Sequence, residues 1–186
     1  PIKNKVLLIP ILVDVENEKI YLFTDNIFYN KWNDNKKNYH LLNYLLPSED
    51  LEDMSIIQKM HKTIENYDFV NLIKKYDLQN YIISIIFKNE NEINILSKIN
   101  LNNSVKIDNQ KFEEIDLNNK KDFELILNNL KNIYEDYWKK ENEINTSIKL
   151  PLTISINSKE YNKIKKLEKI LENLDLVSKF YILKLD

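Results

Sequence analysis

Short apolar runs broken by Asn, Asp or Pro recur along most of the chain, and runs of this kind are typical of β-strands. The pattern predicts strands at residues 6–15, 20–23, 41–46, 81–87, 93–101 and 105–115. Because Asn-rich breaks separate the last three, we expect an antiparallel meander there. Pro10 cannot donate a ladder hydrogen bond, so it indicates an end, a bulge or an edge in the first strand.

Apolar positions at helical spacing separate these strands. Asp25 or Asn26 is expected to cap a short helix that carries Phe28 and Trp32. Ser48 precedes an acidic turn suited to the positive end of a helix dipole. The helix beginning there presents one apolar face, which comprises Leu51, Met54, Ile57, His61 and Ile64. A second segment presents Phe69, Leu72, Ile73 and Tyr76.

The longest predicted helix begins after Asn118 and Asn119. Its apolar stripe comprises Phe123, Ile126, Leu130, Ile133, Tyr137 and Trp138. We expect Tyr134, Tyr137 and Trp138 to cover the junction with a final unit. That unit is predicted to be strand 150–156, a helix with Asn157 and Glu160 at capping-box spacing, and strand 177–185. Its helix has one apolar face, formed by Tyr161, Ile164, Leu167, Leu171 and Leu174.

These elements predict an α/β (α+β) protein in which a mixed β-sheet is covered by amphipathic helices. We divide the 186 residues into a first domain, 1–145, and a β-α-β unit, 146–186. A chain of this length buries a sizeable core. The longest apolar run is too short to cross a bilayer, so no transmembrane segment is expected.

The charge of the chain and the residue types that it lacks exclude several kinds of partner and site. The net charge is -2, from 27 basic and 29 acidic residues without long blocks of one sign, so neither nucleic acid nor an anionic membrane is expected as a partner. The sequence has no Gly, Ala, Cys or Arg. Without glycine a phosphate-binding Gly-rich loop is excluded, and positions with positive φ are expected to fall to Asn or Asp. Without cysteine, disulfides and thiolate sites are excluded.

Two groups of side chains are candidates for binding. The carboxylates, which hold hard oxygen ligands suited to a divalent cation, are Asp14, Asp25, Glu49, Asp50, Glu52 and Asp53. Helix capping explains most of them more simply. Phe23, Phe28, Tyr29 and Trp32 form either an aromatic platform for a ligand or part of the core. From both groups we retain one possible binding surface, which comprises Asp14, Asp25, Phe28, Trp32, Asp50 and Asp53.

No residue is assigned to catalysis, a metal or a cofactor. His40 and His61 belong to different elements, and structural roles are expected for both. No serine has the surroundings of a nucleophile elbow.

Several motifs together resemble the proteobacterial "domain of unknown function 2066" family. They are LFTDNIFYNKW, LLPSEDLEDM, FVNLIKKYDLQNYIIS, LKNIYEDYWKK, LPLTISI and FYILKL, which cover nearly the whole chain. Members usually carry small or glycine residues where this chain has Ser48, Glu49, Asp77 and Leu78. The first part also resembles the amino-terminal domain of TolB. These resemblances imply a periplasmic protein whose export signal is absent from this chain.

We therefore expect a non-enzymatic, exported protein that acts as an interaction or assembly module and binds an envelope protein. An alternative is a small-molecule or nucleotide-binding protein or enzyme with its site at the carboxyl ends of the strands. A third is a structural domain of a larger assembly, which an exposed apolar patch or a stable oligomer would indicate. The sequence leaves the ligand, the partner and the oligomeric state open.

Overall fold

The computed structural model describes residues 4–34, 41–60, 62–142 and 161–172, and the chain forms two compact units, 1–142 and 143–186. In the described part, the first unit contains strands β1 (Asn4–Asp14), β2 (Lys19–Tyr21), β3 (Leu42–Leu45), β4 (Tyr81–Asn89), β5 (Glu92–Leu101) and β6 (Ser104–Phe112). Its α-helices are α1 (Ile27–Lys31), α2 (Leu51–Gln58), α3 (Val70–Lys74) and α4 (Lys120–Glu141), with a 3-10 helix at Ile64–Asn66. The predicted α+β class with a mixed sheet is confirmed.

The order of the sheet is β2, β1, β4, β5, β6, with β3 also beside β1, so β1 pairs with three strands. Residues 7–14 of β1 pair in parallel with β4. On its other side β1 pairs in parallel with β3 through its first residues and antiparallel with β2 through its last. Strands β4, β5 and β6 form the predicted antiparallel meander.

Pro10 lies inside β1, so the predicted end or bulge is wrong, but on one side the strand is locally an edge at this residue. The pairing with β3 ends at Leu7 and the pairing with β2 begins at Leu12, which leaves a gap beside Pro10. The backbone N–H groups of Leu7 and Val15 point toward β4. Because the backbone groups of successive residues in a strand point to alternate sides, the nitrogen of Pro10 points away from β4 and faces the gap. The side chain of Asn26 enters the gap, and its Nδ2 donates to the carbonyl of Pro10 at 2.9 Å.

Both faces of the sheet are buried at β1, whose alternate residues point to opposite sides. Val6, Leu8 and Leu12 pack against α1 and α4 in one core. Leu7, Ile9, Ile11 and Val13 lie in the other core, with the helices between residues 51 and 74. This two-sided burial explains why the first strand is a continuous apolar run.

Tight turns replace glycine with other residues. In the described chain, positive φ angles of 49° to 64° occur at Glu18, Asp77, Glu90, Asn102, Asn103 and Glu114. Asn102 and Asn103 form a two-residue hairpin turn between β5 and β6, as the Asn-rich break predicted. The expectation that only Asn or Asp would fill such positions is wrong for the three glutamates. All three are exposed, and a single left-handed residue costs only about 1–2 kcal/mol.

The helix after the acidic turn is only partly as predicted. Ile57 is buried and Met54 is half-buried. Helix α2 ends at Gln58, so Ile64, which is also buried, lies in the separate 3-10 helix and not on the predicted helix face. Leu51, by contrast, is 80% exposed. Leu51 precedes Ile57 by six positions in the sequence, which places it roughly 120° away around the helix axis. His61 lies outside the described residues.

Helix α4 follows Asn119, whose side chain accepts a hydrogen bond from the N–H of Lys121 at 3.0 Å. The buried apolar residues of α4 are Phe123, Ile126, Leu127, Leu130 and Tyr134. Ile133, Tyr137 and Trp138 lie half-buried at the margin of the core. Tyr134 was expected at the junction with the final unit, but it is fully buried against the sheet of the first unit.

In the second unit the structure describes helix α5 (Tyr161–Glu172). Its half-buried residues include Ile164, Leu167 and Leu171, as the predicted apolar face requires. The predicted strands 150–156 and 177–185, the caps Asn157 and Glu160, and Leu174 lie outside the described residues, as does His40. Among the described helices, none is both long and apolar enough to cross a membrane.

Candidate functional site

Asp50 and Asp53, two residues of the candidate surface, lie together at the start of α2. Asp50 is the N-cap, and its Oδ1 accepts hydrogen bonds from the N–H groups of Glu52 and Asp53 at 2.9 and 3.1 Å. Lys75, which follows α3, donates from Nζ to Asp50 Oδ2 at 3.0 Å and to Asp53 Oδ2 at 2.8 Å. Their carboxylates therefore cap a helix and hold a lysine, as expected for a structural role.

The pKa of Asp50 lies below its usual 3.8, chiefly because Lys75 donates to its carboxylate and next because the N–H of Asp53 does so. Burial opposes this change only partly. The pKa of Lys75 is raised by the same contacts, first with Asp53 and then with Asp50. Lys75 thus stabilises the ionised form of Asp50, and the two carboxylates stabilise the charged form of Lys75.

This ion pair predicts a stability difference that depends on pH. Asn is as good an N-cap as Asp, so Asp50→Asn removes the charge facing Lys75 and keeps the cap. A lowered folded pKa contributes stability above the unfolded pKa, and this contribution is lost as pH falls through the folded pKa. We expect the wild type to melt above Asp50→Asn at pH 7, and the gap to narrow progressively as the pH falls below about 3.8. Thermal melts at pH 7 and at a series of pH values below 3.8 measure it, and a gap that does not narrow over this range would contradict the assignment.

Asp14 and Asp25 form no hydrogen bond or ion pair with Lys75, Asp50 or Asp53. Asp14, at the carboxyl end of β1, accepts hydrogen bonds from the N–H of Asn17 at 3.0 Å and from its Nδ2 at 2.9 Å. These contacts close the turn after β1 and lower the pKa of Asp14, with the side-chain contact as the largest cause. Asp25 is exposed just before the N-cap of α1. In the described ranges, no group of three or more acidic, His or Cys residues is arranged to hold a metal ion.

Phe28 and Trp32 do not belong to a surface, which corrects the candidate set. Both side chains are 0% exposed. The ring of Phe28 lies 5.2 Å from that of Phe123, and the ring of Trp32 lies 5.6 Å from that of Tyr44. The two residues are one helical turn apart, and that turn faces the sheet, so they pack in the core.

A buried polar group that the sequence analysis missed joins α4 to the sheet. The hydroxyl of Tyr134 lies 2.7 Å from Ser97 Oγ and 3.2 Å from Ser84 Oγ, and all three residues are 0% exposed. Burial, only partly opposed by the two serines, raises the pKa of Tyr134 to about 12. Serines inside the apolar strands β4 and β5 are the sequence signal, since a buried hydroxyl needs a partner.

A second buried polar group lies one turn away on the same helix. The Nζ of Lys131 donates to the backbone oxygen of Trp32 at 2.6 Å. Glu135 is also buried. The pKa of Tyr44 is raised, first by its burial and then by the negative charge of Glu135. These groups are enclosed within the first unit, so we interpret them as structural.

The carboxyl end of β4, where the ligand-binding alternative would place its site, faces a shallow hollow of about 270 Å³. Its lining includes the carboxylates of Glu90, Glu92, Glu113 and Glu114. Lys111 binds two of them, at 3.0 Å from Glu92 and 2.8 Å from Glu113. An open, acidic surface that already holds a lysine lacks the convergent polar groups and apolar walls of a ligand site.

One face of the sheet is covered by α2 and α3 at β1, but the same face is exposed at β6. There Val105 and Ile107 are 69% and 63% exposed. Nearer the covered part, Phe87 and Leu96 are half-buried. They line a cleft of about 320 Å³ that extends to Asn109 and Lys111 of β6 and to Glu65. This open face, defined by Phe87, Leu96, Val105 and Ile107, is the clearest exposed apolar surface on the sheet.

The same strand ends the sheet. In the described residues, β6 pairs only with β5. The two-residue turn makes Leu101 and Ser104 a hydrogen-bonded pair, so Lys106, Asp108 and Gln110 also bond to β5. The backbone N–H and C=O groups of the alternate residues Val105, Ile107, Asn109 and Lys111 therefore point away from the sheet. We call this row the β6 edge.

Neither the models of protein families nor the curated proteins contain a match to the chain.

Proposed function

We propose that the protein is a non-enzymatic interaction or assembly module, which binds a partner protein by adding a strand at the β6 edge. The observation that carries the proposal is the coincidence of the unpaired edge with the exposed side chains of Val105 and Ile107. Outward backbone groups bind a partner strand in this mode, and neighbouring side chains give specificity. Natural proteins usually protect such edges, so a long exposed one indicates a use.

We further propose that the partner lies in the bacterial envelope and that the protein is exported. The resemblance of several motifs to the "domain of unknown function 2066" family, and of the first part to the TolB amino-terminal domain, supports this location. Asp77, at a position where members of that family carry a small residue or glycine, has φ of 49°. A glycine-like backbone at this site fits the proposed relationship.

A pull-down from envelope extract of the native organism tests the proposal. We expect the full chain to retain a partner protein and Ile107→Lys to lose it, because a lysine places a charge in the strand-addition surface. Leu125→Lys is the matched control, since Leu125 on α4 is 56% exposed and lies off this surface. Equal recovery by all three proteins, or recovery of nothing specific by the wild type, contradicts the proposal.

A ligand screen separates this proposal from the alternative site at the strand ends. A small molecule present at about one hundred times its dissociation constant stabilises its protein by about 2.7 kcal/mol. Thermal shifts with metals, nucleotides and sugars should therefore remain flat. A clear shift that Glu92→Gln abolishes would favour the ligand-binding alternative.

A further inference from the structure

The β6 edge has a self-complementary charge pattern. Lys106 and Asp108 flank Ile107, and both side chains point to the sheet face that α4 covers. Contacts with α4 hold them in place, since Lys106 Nζ lies 2.6 Å from Glu141 Oε1 and Tyr137 donates to Asp108 Oδ1 at 3.3 Å. If a second copy of this strand lies antiparallel to the first, related by a two-fold axis at Ile107, Lys106 of each copy lies opposite Asp108 of the other.

We propose that β6 pairs with β6 of a second copy of the chain, antiparallel across a two-fold axis at Ile107. The proposal rests on the proposed function of the β6 edge and names the partner of that edge. Ile107 then lies opposite Ile107 of the second copy, and Val105 lies opposite Asn109. All these residues have outward backbone groups, so each pair exchanges hydrogen bonds. The two sheets become one continuous sheet, as in other isologous dimers.

Charge selects this register over its neighbours. With the axis at Ile107, Lys106 lies directly opposite Asp108 of the second copy, and symmetry makes this contact twice. An axis at Asp108 sets two aspartates opposite each other, and an axis at Lys106 sets two lysines opposite each other. Like charges in directly opposed positions are destabilising, whereas opposite charges stabilise the pair. If the axis lay between two residues, each residue whose backbone groups point outward would lie opposite one whose backbone groups bond to β5. The hydrogen bonds between the two copies could then not form.

The apolar side chains agree with the same arrangement. Residues opposite each other in an antiparallel pair lie on the same face. The exposed Ile107 side chains of the two copies therefore meet on the open face, and Val105 lies beside them. Pairing reduces the exposure of both side chains. Without it, two apolar side chains this exposed would be unusual on an edge strand.

Charge reversal tests the register directly on the full chain. Sedimentation velocity over a range of concentrations should show a monomer–dimer equilibrium for the wild type. Lys106→Asp and Asp108→Lys each place like charges at both symmetric contacts, so the dissociation constant of either variant should rise at least about tenfold. An equimolar mixture of the two variants should recover a heterodimer, because each contact then joins one lysine to one aspartate.

Two controls keep the test decisive. Lys121→Asp makes the same charge change at an exposed position of α4 and should dimerise as the wild type does. Should Lys106→Asp unfold because Glu141 loses its partner, Lys106→Asp with Glu141→Lys keeps a local ion pair and replaces it in the mixture. Failure of the mixture to recover the dimer overturns the register and the proposal.

The outcomes distinguish this inference from the proposed function. A monomeric wild type overturns the self-pairing at once. If that monomer still retains an envelope protein in a manner that Ile107→Lys abolishes, the edge binds another protein's strand and the proposed function stands. A dimer with the expected charge dependence but no retained envelope protein supports the self-pairing and overturns the envelope partner.

Discussion

Trp32→Ala is expected to lower the free energy of unfolding by about 3–5 kcal/mol. The ring is fully buried, stacks on Tyr134 with 6.2 Å between centroids, and meets the edge of Tyr44 at 5.6 Å. Lys131 adds a charge 5.8 Å from the ring centre and a hydrogen bond to the backbone oxygen of Trp32. Removing the ring leaves a cavity among these groups. The loss is a large fraction of the roughly 5–15 kcal/mol typical of a folded domain.

Chemical denaturation followed by circular dichroism measures this loss, and Trp138 supplies the matched control. Trp138 is the other tryptophan of the chain and lies half-buried at the margin of the same core. Trp138→Ala should therefore cost clearly less than Trp32→Ala. Similar losses for both variants would show that Trp32 is not the buried centre of the core.

The strands and the longest helix were predictable because their apolar periods are long and regular. The apolar run at 6–13 requires a strand buried on both faces, and the spacing from Phe123 to Leu130 requires an amphipathic helix. The hairpin at Asn102 and Asn103 followed from the need for positive φ without glycine. Such features depend on the spacing and the backbone preferences of residues that are close together in the sequence.

Other features depend on contacts that local spacing does not contain. Pro10 is tolerated inside the sheet because two partner strands leave a gap beside it, and Asn26 fills the gap from sixteen positions away. Lys131 and Glu135 look like exposed helix residues in sequence, yet both are buried. These contacts join residues that are distant in the chain, so local spacing does not show them.

The candidate surface was least predictable, since the same residue types serve cores, caps and binding sites. Asp50 looked like a cap or a ligand, and the structure shows the cap. Val105 and Ile107 lie two positions apart and so share a face, but the order of the strands places them at the edge, where none of the described helices covers that face. Order within a sheet is a long-range property.

Asn26→Ala is expected to lower the free energy of unfolding by roughly 2–4 kcal/mol, because one buried side chain closes four hydrogen bonds. Its Nδ2 donates to the carbonyls of Pro10 and Tyr21 at 2.9 and 3.0 Å. Its Oδ1 accepts from the N–H groups of Phe28 and Tyr29 at 3.0 and 3.3 Å. Loss of an N-cap costs about 1 kcal/mol, and the buried carbonyl of Pro10, left unsatisfied, costs about 1–3 kcal/mol more, whereas the carbonyl of Tyr21 is only partly buried.

Asn26→Asp separates the two halves of this role. Aspartate keeps the acceptor that caps α1, but its carboxylate faces the carbonyl oxygens of Pro10 and Tyr21, which raises its folded pKa above the usual value of about 3.9. Protonation restores one donor, so this variant should be most stable below its unfolded pKa and should lose stability as pH rises through the folded pKa. Relative to the wild type, Asn26→Ala should show no such dependence. Denaturation midpoints of all three proteins at pH 4 and pH 7 measure the difference, and a parallel response of the two variants would rule out donation to Pro10 and Tyr21 as the reason for Asn26.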